Sequence, residues 1–369
     1  MPIGSEVDAI RQGLEFAAPM ESLSVDARCA SRFGPPLHGN DARRRDEPPR
    51  QRVRLHRPFT SWFEGVMTSV MDIGFLGLGN MGAPMAERLL GQACRLHVYD
   101  PSAQALAPFV DGGAIAHASP RAVADAASIV FACLPNRDVS LAVGLGPDGV
   151  VHGSAVRLYV EMSTIGQDMI ERIGEGLAQR GIDIVDAPVS GGPSAARAGT
   201  LAMLVSGMPS AVEQVSPLLE RIGKEVFPMG DRPGMAQIMK IVNNVVMAAN
   251  LVVCAEGLAM GAKAGLDADM MMRLIDSGSG QSFACSKIMS RAVSGKFDFG
   301  AALAVIEKDM ALGLAEARLM HVAMPAIERA RDVWHAAYEA GRGGEDFTSI
   351  LRYVEERNGT RVRGRAVQA

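Results

Sequence analysis

The chain has little lysine, no paired cysteine pattern, no excess of basic charge and no uninterrupted apolar run of membrane length. A net charge of -4 leaves no electrostatic footprint for nucleic acid or an anionic membrane surface. The five cysteines (Cys29, Cys94, Cys133, Cys254, Cys285) are odd in number, scattered, and without Cys-x-x-Cys or Cys/His ligand spacing. They read as small buried hydrophobes, which excludes a disulfide scaffold and a bound metal and places the protein in the reducing cytoplasm. The longest apolar run, Val245 to Leu258, is broken by Asn250 and Glu256, so a buried core helix is expected rather than a membrane span.

What is present is a globular composition, 48% hydrophobic and 21% charged, with forty glycines that follow no collagen-like period. At 369 residues the chain has room for two domains. Residues 1–70 stand apart: seven arginines crowd between Gly34 and Thr60 among too few apolar residues to offset the entropy of ordering. They are read as a disordered extension or as an upstream start, with Met67 or Met71 as the real beginning. A secretory leader would need an apolar core that is missing, and a transit peptide would be poorer in acids.

From Met71 onward, short β-branched runs alternate with amphipathic stretches, the pattern of βαβ units around a parallel sheet. Strands are expected at 72–78, 95–100, 128–134, 158–162, 182–186, 201–206 and 225–228, with helices between them, among these 83–90, 121–126, 168–180 and 210–222. After Gly234 the strand signals stop. Helices are expected at 235–264, 268–277, 283–293, 301–320, 326–340 and 348–357, followed by a basic tail. The fold class is therefore α/β: a Rossmann-like domain over 71–233, then an all-helical domain over 234–357 joined to it by a long helix, with a tail at 358–369.

Gly77-Leu78-Gly79-Asn80-Met81-Gly82 places G-x-G-x-x-G between the first strand and the first helix. Gly77 permits the tight turn, Gly79 lets backbone approach a pyrophosphate, and Gly82 lets the helix pack on the strand, with the anion at the helix N-terminus. The second strand ends at Asp100, where a carboxylate can accept hydrogen bonds from ribose hydroxyls and repel a 2′-phosphate. No arginine follows it, so NAD is expected over NADP. The strand ends Leu134-Pro135 and Ser163-Thr164 are expected to face the same crevice.

Lysine is scarce, six residues against 31 arginines, yet Lys240 sits in an apolar helical stretch with Asn244 one turn on, on the same face. On its own such a lysine more often snorkels to the surface than takes part in catalysis. Gln237 lies near the same stripe. The turn Asp186-Ala187-Pro188-Val189-Ser190-Gly191-Gly192 follows a strand and can hold a carboxylate on backbone N–H groups and a hydroxyl. A segment from Asp276 to Phe283 is read either as a pocket wall or as an interhelical turn.

In this order, the fingerprint with Met85 after it, the Asp186–Gly192 turn followed by Ala198-Gly199-Thr200-Leu201, Lys240-x-x-Asn243-Asn244 and Lys308-Asp309 resemble the β-hydroxyacid dehydrogenase family. The resemblance runs from about Met71 to Glu356. It implies an NAD-dependent dehydrogenase of a short 3-hydroxy acid with the active site between the two domains, in a homodimer or homotetramer. It also implies that Lys240 is catalytic and Asn244 holds substrate, that Ser190, Gly191 and Gly192 bind the carboxylate, and that Thr164 and Lys308 touch the cofactor. Ala236 departs from the pattern, standing where the family has a second glycine before the lysine, and is expected to bear on substrate choice. Alternatives are a non-catalytic NAD-binding oligomerisation module and a reductase of another small carbonyl or an imine, although imine-reducing relatives lack the lysine. 6-Phosphogluconate dehydrogenase is longer and carries His where this chain has Asn243.

Overall fold

The computed structural model describes residues 70–91 and 94–364. The readings of an N-terminal extension, of Cys29 and of the last tail residues lie outside that range. Strands form where β-branched and aromatic residues run together: β1 (Met71–Leu76), β2 (Cys94–Tyr99), β3 (Ile115–Ala116), β4 (Ile129–Ala132), β5 (Leu158–Glu161), β6 (Asp183–Asp186), β7 (Val189–Ser190), β8 (Leu201–Gly207) and β9 (Gly223–Gly230). They make one sheet in the order β3-β2-β1-β4-β5-β6-β8-β7, with β9 paired to β8. The central strands β4 and β5 are buried throughout, as expected of parallel strands covered on both faces. One covering layer packs on Phe75, Phe131 and Val160, the other on Leu76, Val130 and Tyr159.

The helices over the sheet are α1 (Gly82–Glu87), α2 (Ala103–Asp111), α3 (Pro120–Ala126), α4 (Arg137–Leu145), α5 (Gln167–Ala178), α6 (Gly192–Ala198) and α7 (Pro209–Ile222). Local chemistry starts several of them: Ser102, Ser119 and Asn136 each accept a backbone N–H from three residues ahead, satisfying donors that a helix end leaves open. The order reverses between β1, which continues outward to β2 and β3, and β4, which continues the other way. That switch opens a crevice at the carboxyl edge, directly over the glycine fingerprint.

The expectation of a parallel sheet holds from β3 through β6 and fails beyond it. β8 runs antiparallel to both β6 and β7, then pairs in parallel with β9. Apolar alternation does not encode strand direction, and the chain between β6 and β8 folds back through a turn and the short α6. The two-residue strands β3 and β7 are too short to give any periodic signal.

Beyond Gly230 the structure is helical: α8 (Met235–Lys263), α9 (Ala268–Ser277), α10 (Ser290–Val293), α11 (Leu303–Leu319), α12 (Pro325–Ala337) and α13 (Ile350–Asn358). The helix expected at 283–293 begins instead as a wide i→i+5 turn over Ala284–Met289, and a similar turn over Tyr338–Arg342 ends α12. α8 is the axis of this part, packed by α11, α12 and α13. Its 29 residues have a mean hydropathy of 1.8 in their most apolar window, so length and apolarity alone fit a membrane span. Length is thus not what argues for a core helix. Burial is: Ile241, Val245, Ala248, Leu251, Ala255 and Leu258 are all enclosed in the helical core.

Candidate active site

At the fingerprint, steric need and open space separate the three glycines. Gly77 has φ +89°, and a Cβ there would meet the Cys133 carbonyl at 2.3 Å. A Cβ on Gly82 would lie 1.9 Å from the Gly77 carbonyl oxygen, so the α1–β1 contact exists only without one. Gly79 differs: a Cβ there would have no neighbour within 4 Å. Space over Gly79, next to the start of α1, is what a pyrophosphate requires.

Asp100 closes the other end of this crevice. One carboxylate oxygen accepts the Leu78 N–H at 2.8 Å and the other the Ser102 N–H at 2.8 Å. The turn after β1 and the end of β2 are thereby fixed to one side chain, whose remaining lone pairs are available for hydroxyl donors. Leu134 joins the same wall. Its N–H donates to Ser163 Oγ at 2.7 Å, and its Cδ2 lies 3.1 Å from where a Gly77 Cβ would be. Asn80 and Met81 complete the turn into α1, and Pro135 leads from Leu134 into the Asn136 cap of α4. The described residues thus fit a dinucleotide: backbone, space and carboxylate stand where pyrophosphate and ribose would need them.

The catalytic candidates meet where α8 and α11 cross the loop after β5. Lys308 Nζ donates to the Thr164 carbonyl at 2.9 Å and lies 2.8 Å from Asp309 Oδ1. Asp309 Oδ2 accepts the Asn244 side-chain amide at 2.6 Å, and Asn244 Oδ1 accepts from Asn243 at 3.2 Å. This uses the Asn244 oxygen and one of its two N–H donors, leaving the second N–H for a ligand. Lys240, one turn before Asn244, is close enough to feel both Asp309 and Lys308. Burial lowers its pKa to about 8; Asp309 opposes that fall and Lys308 adds to it.

α8 starts at Gly234 without a side-chain cap of its own. The cap comes from the sheet. Asp186 Oδ2 accepts the N–H of Gly234 at 3.1 Å and of Gln237 at 3.0 Å, while Ser206 Oγ accepts the N–H of Ala236 at 2.9 Å. Gln237 is fully buried and fully used: its oxygen takes the N–H groups of Ile165 and Gly166, and its amide donates to the Ser163 carbonyl and Asp186 Oδ1. Its place near the lysine stripe is therefore structural, joining α8 to the ends of β5 and β6. Ala236 is also fully buried, so its methyl does not face an open cleft.

Two buried carboxylates, Glu161 and Asp186, are direct partners across β5 and β6. Burial raises their pKa values to about 7 and about 6 against the pull of their hydrogen bonds. Glu161 accepts from the Tyr159 hydroxyl at 3.0 Å and the Ser163 N–H at 3.0 Å, which fixes the serine that holds Leu134.

The Ser190-Gly191-Gly192 turn lies against the helical part: a Cβ on Gly192 would sit 3.5 Å from Phe299, and one on Gly300 3.2 Å from Pro193. Among the described hydrogen bonds none ties this turn to Lys240. Nor does any tie the Asp276–Phe283 segment there, and Phe283 is 67% exposed. The sequence singled out Ser163-Thr164 as crevice-facing and Lys308-Asp309 as a motif but gave Asp309 no role of its own, and it missed Glu161, which lay in what read only as a strand.

Residues 72–230 match the family described as the NAD binding domain of 6-phosphogluconate dehydrogenase, and residues 234–354 that described as NAD-binding of NADP-dependent 3-hydroxyisobutyrate dehydrogenase. The chain is 35% identical over 300 residues to 2-(hydroxymethyl)glutarate dehydrogenase of Eubacterium barkeri, covering 81% of this chain and 99% of that one. It is 35% identical to 3-hydroxyisobutyrate dehydrogenase of Pseudomonas aeruginosa, over 76% and 97% of the two chains. The structure of Mycobacterium tuberculosis 3-hydroxyisobutyrate dehydrogenase with L-serine superposes with a TM-score of 0.69 at 28% identity, covering 77% of this chain and 99% of that one.

Proposed function

Because the chain belongs to the β-hydroxyacid dehydrogenase family, we propose that it transfers a hydride between NAD and the carbinol carbon of a short 3-hydroxy acid, with Lys240 moving the proton. The activity class, NAD(P)-dependent oxidoreduction of a hydroxy acid, is that of its relatives. The observation that carries the finer reading is the convergence of Lys240, Asn244, Lys308, Asp309 and Thr164 at one point. We read 71–233 as the cofactor domain and 234–357 as the helical domain that completes the site.

A nicotinamide cofactor bound in this crevice would supply or take the hydride. As the carbinol is oxidised its hydroxyl must lose a proton, and a neutral Lys240 amine accepts it; in reduction the ammonium returns it to the developing alkoxide. A lysine held near pH 8 populates both forms close to neutrality. The spare Asn244 N–H orients the substrate oxygen. Ser190 with the N–H groups of Gly191 and Gly192 holds the acid end. The 3-hydroxy-acid substrate class is supported by the mycobacterial relative, whose structure is with L-serine, itself a 3-hydroxy acid. Gly77, Leu78, Gly79, Asn80, Met81 and Gly82 would seat the pyrophosphate, and Leu134, Pro135, Thr164 and Lys308 would hold the rest of the cofactor. Asp100 favours NAD over NADP by accepting ribose hydroxyls and repelling a 2′-phosphate.

Association into a dimer or tetramer and a cytoplasmic setting belong to the same reading. Along α8, Met239, Val246, Val253 and Met260 recur every seven residues and are 41%, 50%, 60% and 74% exposed, an apolar stripe turned away from the core. The four described cysteines are free thiols, which suits a reducing compartment.

The test is a panel of 3-hydroxyisobutyrate, glycerate, threonate, serine and 4-hydroxybutyrate with NAD and NADP in parallel, on the parent and on Lys240→Ala. Expected is turnover of at least one 3-hydroxy acid, faster with NAD, and a fall of about 10²–10⁴-fold in the variant. Parental turnover by Lys240→Ala would sink the mechanism, and faster turnover with NADP would sink the reading of Asp100.

A further inference from the structure

The segment that leads from β5 into α5 is held by side chains from the helical part. Four consecutive residues, Thr164, Ile165, Gly166 and Gln167, each place a backbone polar group on one of them. Lys308 Nζ donates to the Thr164 carbonyl at 2.9 Å, Gln237 Oε1 accepts the N–H groups of Ile165 at 2.8 Å and Gly166 at 3.1 Å, and Glu316 Oε1 accepts the Gln167 N–H at 2.7 Å. Lys308 and Glu316 stand two turns apart on α11, roughly 12 Å along its axis. α11 therefore pins both ends of the segment and α8 pins its middle. We infer that Glu316 is a positioning residue for the proposed reaction: by capping α5 from α11 it keeps Thr164 against Lys308, and through Lys308 and Asp309 it keeps Asn244 in place beside Lys240. The inference rests on the reading of Lys240 and Asn244 as the groups that act on the substrate.

Local geometry is shaped around this one carboxylate. Glu316 is only 5% exposed, and a carboxylate so buried needs hydrogen-bond donors. The start of α5 supplies them, since that helix has no side-chain cap of its own and its N-terminal dipole favours a negative charge. Gly166 makes the approach possible. It has φ +89°, and a Cβ there would lie 2.6 Å from Glu316 Oε1, 2.9 Å from Leu312 Cδ1 and 3.1 Å from Arg137 Nη1. A side chain at position 166 and the Glu316 carboxylate exclude each other. On the sheet side, Arg137 at the start of α4 donates to Asp168 at 2.5 Å, which braces the first turn of α5 from the opposite direction.

From this clamp a continuous set of contacts runs to the reacting groups. Lys308 Nζ has two partners, the Thr164 carbonyl and Asp309 Oδ1 at 2.8 Å, and Asp309 Oδ2 takes the Asn244 amide at 2.6 Å. Gln167 also packs where α8 begins, its Cγ 2.7 Å from the position a Cβ on Gly234 would occupy. Without Glu316 the Gln167 N–H loses its acceptor and Thr164 is released from one of its two end points. Lys308 is then left with Asp309 alone, and the hold on Asn244 changes with it. A mere helix cap would cost stability and nothing more. A positioning residue must also alter the surroundings of Lys240, whose charge Lys308 opposes and Asp309 supports.

The test uses the full-length protein without cofactor or substrate, as the parent, Glu316→Ala, Glu316→Asp and Glu316→Gln. Glutamine keeps an acceptor oxygen at the same reach, whereas aspartate keeps the charge but withdraws it by one carbon. Amide hydrogen exchange reads the segment. Lysine-selective 13C labelling at Cε reads the titration of Lys240 among six lysines, its signal assigned by its loss in Lys240→Arg. Expected for Glu316→Ala and Glu316→Asp is exchange at 165–167 faster by about tenfold or more, with the Lys240 titration displaced by about half a pH unit or more. Glu316→Gln should match the parent in both. On a hydroxy acid that the parent turns over, kcat should fall about tenfold in the alanine and aspartate variants while KM for the cofactor stays within about threefold. Faster exchange with an unmoved Lys240 titration would reduce Glu316 to a structural cap and overturn the proposal; so would parental exchange in Glu316→Ala. A parent that turns over no hydroxy acid would instead defeat the proposed function, and the two measurements on the unliganded protein would still decide the role of Glu316.

Discussion

A lysine amine is useful as an acid–base group near neutrality only if something opposes its charge, and at Lys240 that is burial, moderated by Asp309. The sign of its pH dependence follows. Oxidation needs the neutral amine, so its kcat/KM should rise with pH and level off above about 8, whereas reduction needs the ammonium and should fall across the same range. Asp309 raises the Lys240 pKa, so Asp309→Asn should move the oxidative inflection to lower pH. An unmoved inflection, or one moved upward, would show that Asp309 does not act on the lysine. Lys240 stood out in the sequence as a candidate because lysine is rare here and Asn244 follows one turn later. Its coupling to Asp309 was not legible, since the two lie 69 residues apart in the chain and meet only where α8 crosses α11.

Where an element begins decides where its side chains point, and both helices that open onto the site are capped from a distance. α5 starts at Gly166 with the Gln167 N–H bound to Glu316 of α11 at 2.7 Å, and α8 starts with its N–H groups on Asp186 and Ser206. Asp186→Asn would replace one acceptor oxygen with an N–H2 donor facing N–H groups that need an acceptor. Leaving a buried N–H unsatisfied costs about 1–3 kcal/mol, so the variant should melt several degrees lower. Its kcat should fall as well, because Lys240 follows Gln237 by about one turn at the start of α8; an unchanged melting temperature with parental kcat would refute the cap. In the fingerprint, Gly82→Ala drives a methyl into the Gly77 carbonyl and should destabilise the fold itself. Gly79→Ala places its methyl in open space. It should therefore melt at the parental temperature yet bind NADH at least tenfold more weakly by fluorescence titration. Equal effects of the two substitutions on melting would contradict that division of roles. Local sequence signals located the fingerprint and most helix starts because short-range chemistry sets both, but α8 and α5 have no cap residue to read.

Across the molecule, the apolar stripe on α8 sets the expectation for assembly. In sedimentation the parent should run as a dimer or tetramer, and Val253→Glu with Met260→Glu should shift it toward the monomer without lowering the melting temperature, since both side chains are mostly exposed. A parent that sediments as a monomer would remove the basis for this reading. The sequence was enough to specify an α/β part followed by a helical part, to place the glycine turn between the first strand and the first helix, and to put Lys240 and Asn244 one turn apart on one helix. These are properties of period, spacing and local turn chemistry, all held within a few residues of chain. Strand direction at β8, the buried use of Gln237 and the Glu161–Asp186 pair depend on segments far apart in sequence. Burial and hydrogen-bond satisfaction are fixed by which distant groups arrive at the same point, and that arrival exists only in the folded chain.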